Sequence, residues 1–249
     1  GGHSLNALAG YSWNKNNNQE AFMDNYNFPT DDYSYNNMAA GTALKDGKAT
    51  EKTYQEEYKL VGYFGRINYN YQGKYYLSAS IRHEGSSKFG ADHKWGTFPA
   101  VSIGWNLKEE SFLKNVNFLS FLKLRAGYGI TGTIPGNPYL SLNTLDLGGY
   151  GYYGGQWTTL LRASSNPNPD LRWEKKKETN IGLDFAFFND RISGSIDWYN
   201  RDTDDLIWDY TVSVPPYVKN TITANAGSIR NRGLEVSLNL SLIHISEPT

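Results

Sequence analysis

Apolar and polar residues alternate one for one in eight short runs of this 249-residue chain, and a period of two marks strands with two unlike faces. Between Ser4 and Trp13 the odd positions are Leu5, Ala7, Ala9, Tyr11 and Trp13. Val61, Tyr63, Ile67, Tyr69 and Tyr71 repeat the pattern, and Tyr75, Leu77, Ala79 and Ile81 answer it across a Gln72-Gly73 turn, which makes a hairpin. Val101, Ile103 and Trp105 give a fourth run, and Leu122, Leu124, Ala126, Tyr128 and Ile130 a fifth. Ile181, Leu183, Phe185 and Phe187 turn near Asn189-Asp190 into Ile192, Gly194, Ile196 and Trp198. Leu234, Val236, Leu238 and Leu240 end the series. The chain reads as all-β and antiparallel.

The connections alternate in length. Those over Asn14–Gln55, His83–Lys94, Thr131–Arg172 and Arg201–Ala224 are long, whereas Gln72–Lys74, Leu107–Ser120 and Phe188–Arg191 are shorter. A membrane barrel with long outer loops and short periplasmic turns requires this sorting, and a soluble sandwich does not. Within Leu107–Ser120, Ser111–Leu119 reads as a helical turn that packs Phe112, Leu113 and Phe118 under the wall. Aromatics gather at the strand ends: Tyr69, Tyr71, Tyr75, Trp105, Phe185 and Phe187 near the short turns, and Tyr11, Trp13, Tyr128 and Trp198 toward the long loops. Amphipathic rings favour the two membrane interfaces. Arg66, Arg82, Lys123, Arg125, Glu178, Asp184, Asp197 and Glu235 take the alternate positions, where lipid would penalise charge and a wet lumen would accept it. The expectation is a partial transmembrane antiparallel β-barrel, about eight strands of a larger one, over residues 1–240. A soluble β-sandwich or sugar-binding module is the competing reading.

Composition removes other classes. The 24 Lys and Arg balance 25 Asp and Glu, for a net charge of -1, so no broad basic surface offers itself to nucleic acid. Cysteine is absent, which closes disulfide and thiolate-metal options. Mean hydropathy is -0.59 and no apolar run approaches the ~18 residues of a membrane helix, a test that barrels escape because their faces alternate. Gly149–Gly154 spells GYGYYG, but the flanks lack the strand and helix that aim a GxGxxG loop at a pyrophosphate. With Trp157 it reads as a flexible loop whose Tyr150, Tyr152 and Tyr153 either contact ligand or pack on their neighbours. His83, Glu84, Asp92 and His93 match no standard metal spacing, and Asp202, Asp204 and Asp205 lack the Gly and Glu of a calcium loop. No Ser, His and carboxylate form a triad, since His3 sits at the start and His244 in a doubtful tail. No cofactor, metal or enzymatic activity is expected.

RHEGSSKFG at 82–90, WGTFPAVSIGW at 95–105, LRAGYGITG at 124–132, NPDLRWE at 168–174, NIGLDFAFFNDRISGSIDWYN at 180–200 and AGSIRNRGLEVSLN at 226–239 run in one order. Together they resemble the C-terminal barrel half of SusC/RagA-like TonB-dependent transporters. That resemblance implies an outer-membrane barrel of about 22 strands with a plugged lumen. It also implies energy from TonB through an N-terminal part, a SusD-like surface lipoprotein, and import of oligosaccharides or peptides. A non-transporting structural or adhesive barrel and a barrel enzyme stand as alternatives. Gly1-Gly2-His3-Ser4 carries neither initiator Met nor signal segment, so truncation at the start is expected, as are further strands and a plug elsewhere. SLIHISEPT at 241–249 breaks the alternation and is expected to be a non-native tail.

Overall fold

The computed structural model describes residues 2–241, apart from the side chains of residues 33–35; most of the expected tail, with His244, lies outside the described residues. Among the described residues twelve strands form: β1 (His3–Asp24), β2 (Thr50–Tyr71), β3 (Tyr75–Ser86), β4 (Trp95–Asn106), β5 (Leu119–Thr133), β6 (Leu145–Tyr153), β7 (Gln156–Ala163), β8 (Glu174–Phe187), β9 (Ile192–Asp204), β10 (Ile207–Thr211), β11 (Thr221–Asn225) and β12 (Ser228–Leu240). Eight make one sheet in the order β1-β2-β3-β4-β5-β8-β9-β12, and its ladders from β2 to β12 are antiparallel. These are the eight runs of alternating sequence. β6-β7 and β10-β11 are separate two-stranded hairpins inside long connections that the sequence reads as loops.

Two compact units divide the chain, residues 1–13 with 60–249 and residues 14–59. In the first, side chains of directly paired residues share a face. One row therefore crosses the sheet as Tyr69, Leu77, Ile103, Ala126, Ile181, Trp198 and Leu234. The next row points the other way and holds Gly104, Arg125, Gly182, Asp197 and Glu235. The apolar face is uncovered: Ile103 is 58% exposed and Val236 65%. The buried apolar cluster instead lies on the charged face, where Phe98 of β4 meets Phe89, Leu171 and Trp173 from two long connections. Ile130, read as an outward residue, packs partly against this cluster.

The unit 14–59 corrects one boundary. Asn14–Gln55 is not wholly a loop, because β1 runs to Asp24 and β2 starts at Thr50. Polar stretches there hold strand geometry through ladder hydrogen bonds, which hydrophobic alternation does not report. The remaining connection carries a 3-10 helix at Asp31–Ala40, capped by Thr30, whose side chain accepts from the Asp32 N–H. Asn25 donates to the Met38 and Gly41 carbonyls and accepts from the Tyr26 and Leu44 N–H groups, folding the connection over the fully buried Ala43.

The turn expected at Ser111–Leu119 also differs. The 3-10 turn lies earlier, at Leu107–Glu109, and Lys108 Nζ holds the following turns by donating to the Leu113, Lys114 and Val116 carbonyls. Phe118 stacks on Phe187 with ring centres 6.2 Å apart, but Phe112 stays 66% exposed rather than packing beneath the sheet.

Candidate functional site

All eight charges singled out from the sequence share one face. Arg66 aligns through Ser80, Ala100 and Gly129 with Glu178; Lys123 aligns with Asp184, and Arg125 through Gly182 with Asp197 and Glu235. Arg82 pairs with Phe64 and Phe98 on that face and is half-exposed to it. The structure adds pairings that periodicity alone does not give. Arg125 grips Asp184 at 2.7 and 2.8 Å and reaches Asp197 at 3.0 Å. It passes over Gly182, where a Cβ would lie 2.7 Å from the Arg125 Nη2 and 2.4 Å from the Asp197 carboxylate, so a side chain there would break the triad. Arg82 pairs with Glu84 and Arg201 with Glu178, while Lys123 Nζ sits 4.5 Å from the centre of the Tyr76 ring. An open pocket between the Arg125 side chain, Lys123, Asn68, Asn180 and Ser102 lies on this polar surface.

The opposite face carries rings at two levels. Tyr71, Tyr75 and Trp105 stack in succession, each pair 6.3 Å apart, where β2 turns into β3. Glu110 ties them by accepting from the Tyr75 hydroxyl at 2.6 Å and the Trp105 indole at 3.1 Å, and these donors with Lys74 hold its carboxyl below the ordinary carboxylate range. Toward the long connections, Tyr11 meets Tyr63, Tyr63 meets Trp95, and His83 lies flat on Trp95 at 4.8 Å.

The run with Tyr150, Tyr152, Tyr153 and Trp157 is not an irregular loop. It is the β6-β7 hairpin, turned by Gly154 and Gly155 at φ of +60° and +84°. A register shift between Leu147 and Tyr150 keeps Leu145, Leu147, Tyr150 and Tyr152 on the side of Trp157 and Leu161. Tyr152 and Trp157 touch edge to face, 66% and 71% exposed, so the four aromatics present rings to the surroundings instead of filling a core. No helix follows the GYGYYG run; a second strand does.

The other candidate clusters come apart. His83 and Glu84 are successive in β3 and so point to opposite faces, and His83 bonds Thr97. His93 lies 3.9 Å from Asp170. Asp202, Asp204 and Asp205 pair with Arg230, Lys177 and Arg172 respectively. Sequence reasoning missed a knot of asparagines. Asn166 donates to the Lys219 and Thr221 carbonyls and accepts from the Val218 and Lys219 N–H groups, and Asn225 clamps Arg172 and Asp205. The N-P-N-P spacing at 166–169 is the signal that marks a rigid clamp rather than a linker.

The family described as "TonB dependent receptor-like, beta-barrel" matches residues 1–245. The TonB-dependent receptor SusC of Bacteroides thetaiotaomicron is 43% identical over 201 residues, 78% of this chain and 20% of that protein. The TonB-dependent receptor P3 of Formosa agariphila is 35% identical over 239 residues, 96% of this chain and 23% of that protein. The chain thus spans about a fifth of the length of the curated relatives it matches. Among solved structures, the RagAB peptide importer in its closed-closed state superposes with a TM-score of 0.85 at 26% identity, over 98% of this chain and 26% of that one. The chain belongs to the TonB-dependent receptor β-barrel family, in its SusC/RagA-like branch, and is an outer-membrane β-barrel portion.

Proposed function

We propose that this chain is a section of the wall of an import receptor that carries oligosaccharides or peptides across the outer membrane. The observation that carries the reading is the segregation of the sheet: rings and aliphatics uncovered on one face, paired charges on the other. In water an apolar surface this continuous is an association or aggregation surface, whereas hydrocarbon gives it a matching solvent. The apolar face then meets lipid, and Arg66, Arg82, Lys123, Arg125, Glu178, Asp184, Asp197 and Glu235 line the lumen.

β1 and β12 each pair on one side only among the described residues, and an open edge in lipid costs several kcal/mol per unpaired backbone group. Residues 1–240 therefore act as one domain portion beside further strands and a plug of the same receptor. The likeness to SusC and to the RagAB peptide importer supports TonB as the energy source, a SusD-like lipoprotein as outer partner, and sugar or peptide as cargo. The exposed Tyr150, Tyr152, Tyr153 and Trp157 are the ligand-contacting candidates, since flat rings stack on sugars and on peptide planes alike. No catalytic, cofactor or nucleic-acid role is assigned.

Uptake decides it. Cells with the full-length receptor should accumulate labelled oligosaccharide or peptide, and lose that uptake when TonB is deleted. Equal accumulation of both cargoes with and without the receptor gene would remove the transport reading.

A further inference from the structure

Three adjacent strands lose their apolar alternation at the same height. On the lipid side of β8, β9 and β12 the last apolar row is Ile181, Trp198 and Leu234. Beyond it come Thr179, Asn200 and Arg232, then Lys177, Asp202 and Arg230, then Lys175, Asp204 and Ser228. The charges there form a lattice: Lys177 pairs with Asp204 at 2.8 Å and Arg230 with Asp202. Four cations (Lys175, Lys177, Arg230, Arg232) thus stand against two carboxylates (Asp202, Asp204), and the two bridges leave two positive charges in excess.

The height of this lattice says what it meets. The first apolar row, at the short-turn end, is Phe187, Ile192 and Leu240. Ten residues separate Phe187 from Lys177 along β8, and at about 3.4 Å per residue and about 40° of tilt they climb roughly 26 Å along the membrane normal. The apolar band of such barrels is about 25 Å tall. The cations therefore emerge at the headgroup boundary on the long-connection side, just beyond the rings of Tyr128 and Trp198, where a surplus of positive charge faces lipid phosphates.

We propose that Lys175, Lys177, Arg230 and Arg232 form an outward binding site for the phosphate groups of an anionic outer-leaflet lipid. Asp202 and Asp204 hold Arg230 and Lys177 in place, and Lys175 and Arg232 supply the excess charge. The proposal rests on the reading that the apolar face meets lipid.

The test uses the full-length receptor in phosphatidylcholine nanodiscs doped with lipid A or with dephosphorylated lipid A. Wild type should enrich lipid A over the dephosphorylated form. Each Lys or Arg near a charged surface changes binding by roughly 5-fold, so the Lys175→Gln/Arg232→Gln double variant should lose roughly 25-fold of that enrichment. Lys176→Gln removes the same charge from the same strand on its opposite face and should change nothing. Undiminished enrichment in the double variant, or an equal loss in Lys176→Gln, overturns the site, as does displacement of lipid A by inorganic phosphate alone, which would mark a free-anion site. Leu183→Arg separates the two claims. If it harms barrel assembly more than Leu240→Arg beside the short turn while the double variant still binds lipid A, the lipid-facing reading stands and the headgroup site falls; if Leu183→Arg is tolerated, or the two arginines are equally harmful, the lipid-facing reading itself has failed.

Discussion

Arg125 shows what one side chain does on a sheet face. Its guanidinium forks onto Asp184 and also reaches Asp197, so removing the arginine leaves two carboxylates side by side, whereas removing one carboxylate leaves the arginine a second partner. The three side chains are 20–35% exposed, so solvent screens them. On the scale of exposed pairs, Asp184→Asn should cost roughly 0.5 kcal/mol and Arg125→Leu roughly 1 kcal/mol or more. Urea unfolding of the full-length barrel in detergent measures both; equal costs would mean that the triad does not act as a unit. That these charges share a face was legible in the sequence, because period two fixes the face of every strand residue. Their pairing was not, since register between strands distant in sequence depends on neighbours that alternation does not number. Gly90 was silent for a similar reason. Its missing side chain matters only because the Pro169 carbonyl would lie 1.6 Å from a Cβ there, a contact made across two long connections. Gly90→Ala should open that junction, seen as faster proteolysis within 87–94, and unchanged cleavage would refute the contact.

Elements divide by what specifies them. The eight sheet strands carry their own alternation and were readable one by one. β6 was hidden by Gly148-Gly149, where the ladder shifts register, and β10 and β11 are only five residues each, too short for a period to declare itself. Their pairing is held from outside by Asn166 and Asn168, and Asn225 at the end of β11 ties the hairpin to the Asp205 carbonyl before β10. The Arg172 guanidinium beside Asp205 joins the same knot at 2.7 Å and holds the aspartate carboxyl below its ordinary range. A depressed carboxyl pKa contributes stability that is complete above the unfolded value, about 3.9, and is lost as pH falls through the lower folded value. Protection of the Ala226 N–H, bonded to the Leu206 carbonyl, should therefore fall as pH drops below the ordinary aspartate value of about 3.9, relative to its intrinsic exchange rate. Asp205→Asn should weaken protection at neutral pH and flatten that profile; a wild-type profile in the variant would exclude the bridge. The long connections also fix topology. Single cysteines replacing the exposed Asn37 and Tyr153 should react with an impermeant maleimide on intact cells, and labelling only after permeabilisation would invert the assignment.

At the scale of the molecule, one question orders the rest: which solvent each face of the sheet meets. Leu183 and Asp184 are successive in β8 and point to opposite sides, with Leu183 aligned to Leu124 and Ile196 and Asp184 to Lys123 and Ser195. Leu183 lies four residues from the Phe187 end and six from Lys177, near the middle of the apolar rows. In the complete barrel, Leu183→Arg should therefore cost about 2 to 4 kcal/mol, the penalty for a cation near the bilayer midplane. Asp184→Asn should cost several-fold less, because its partners and water remain at hand. A soluble sandwich would bury Leu183 against a second sheet and would be harmed by arginine too, so the discriminating comparison is with depth. Arginine at Leu240, in the row beside the short turn, should cost less than at Leu183, since lipid penalties fall toward the interfaces while a protein core has no such gradient along the strand. Heat-modifiable gel mobility and outer-membrane yield report assembly of each variant. A flat response from Leu183 to Leu240 would assign this face to a protein partner instead of lipid.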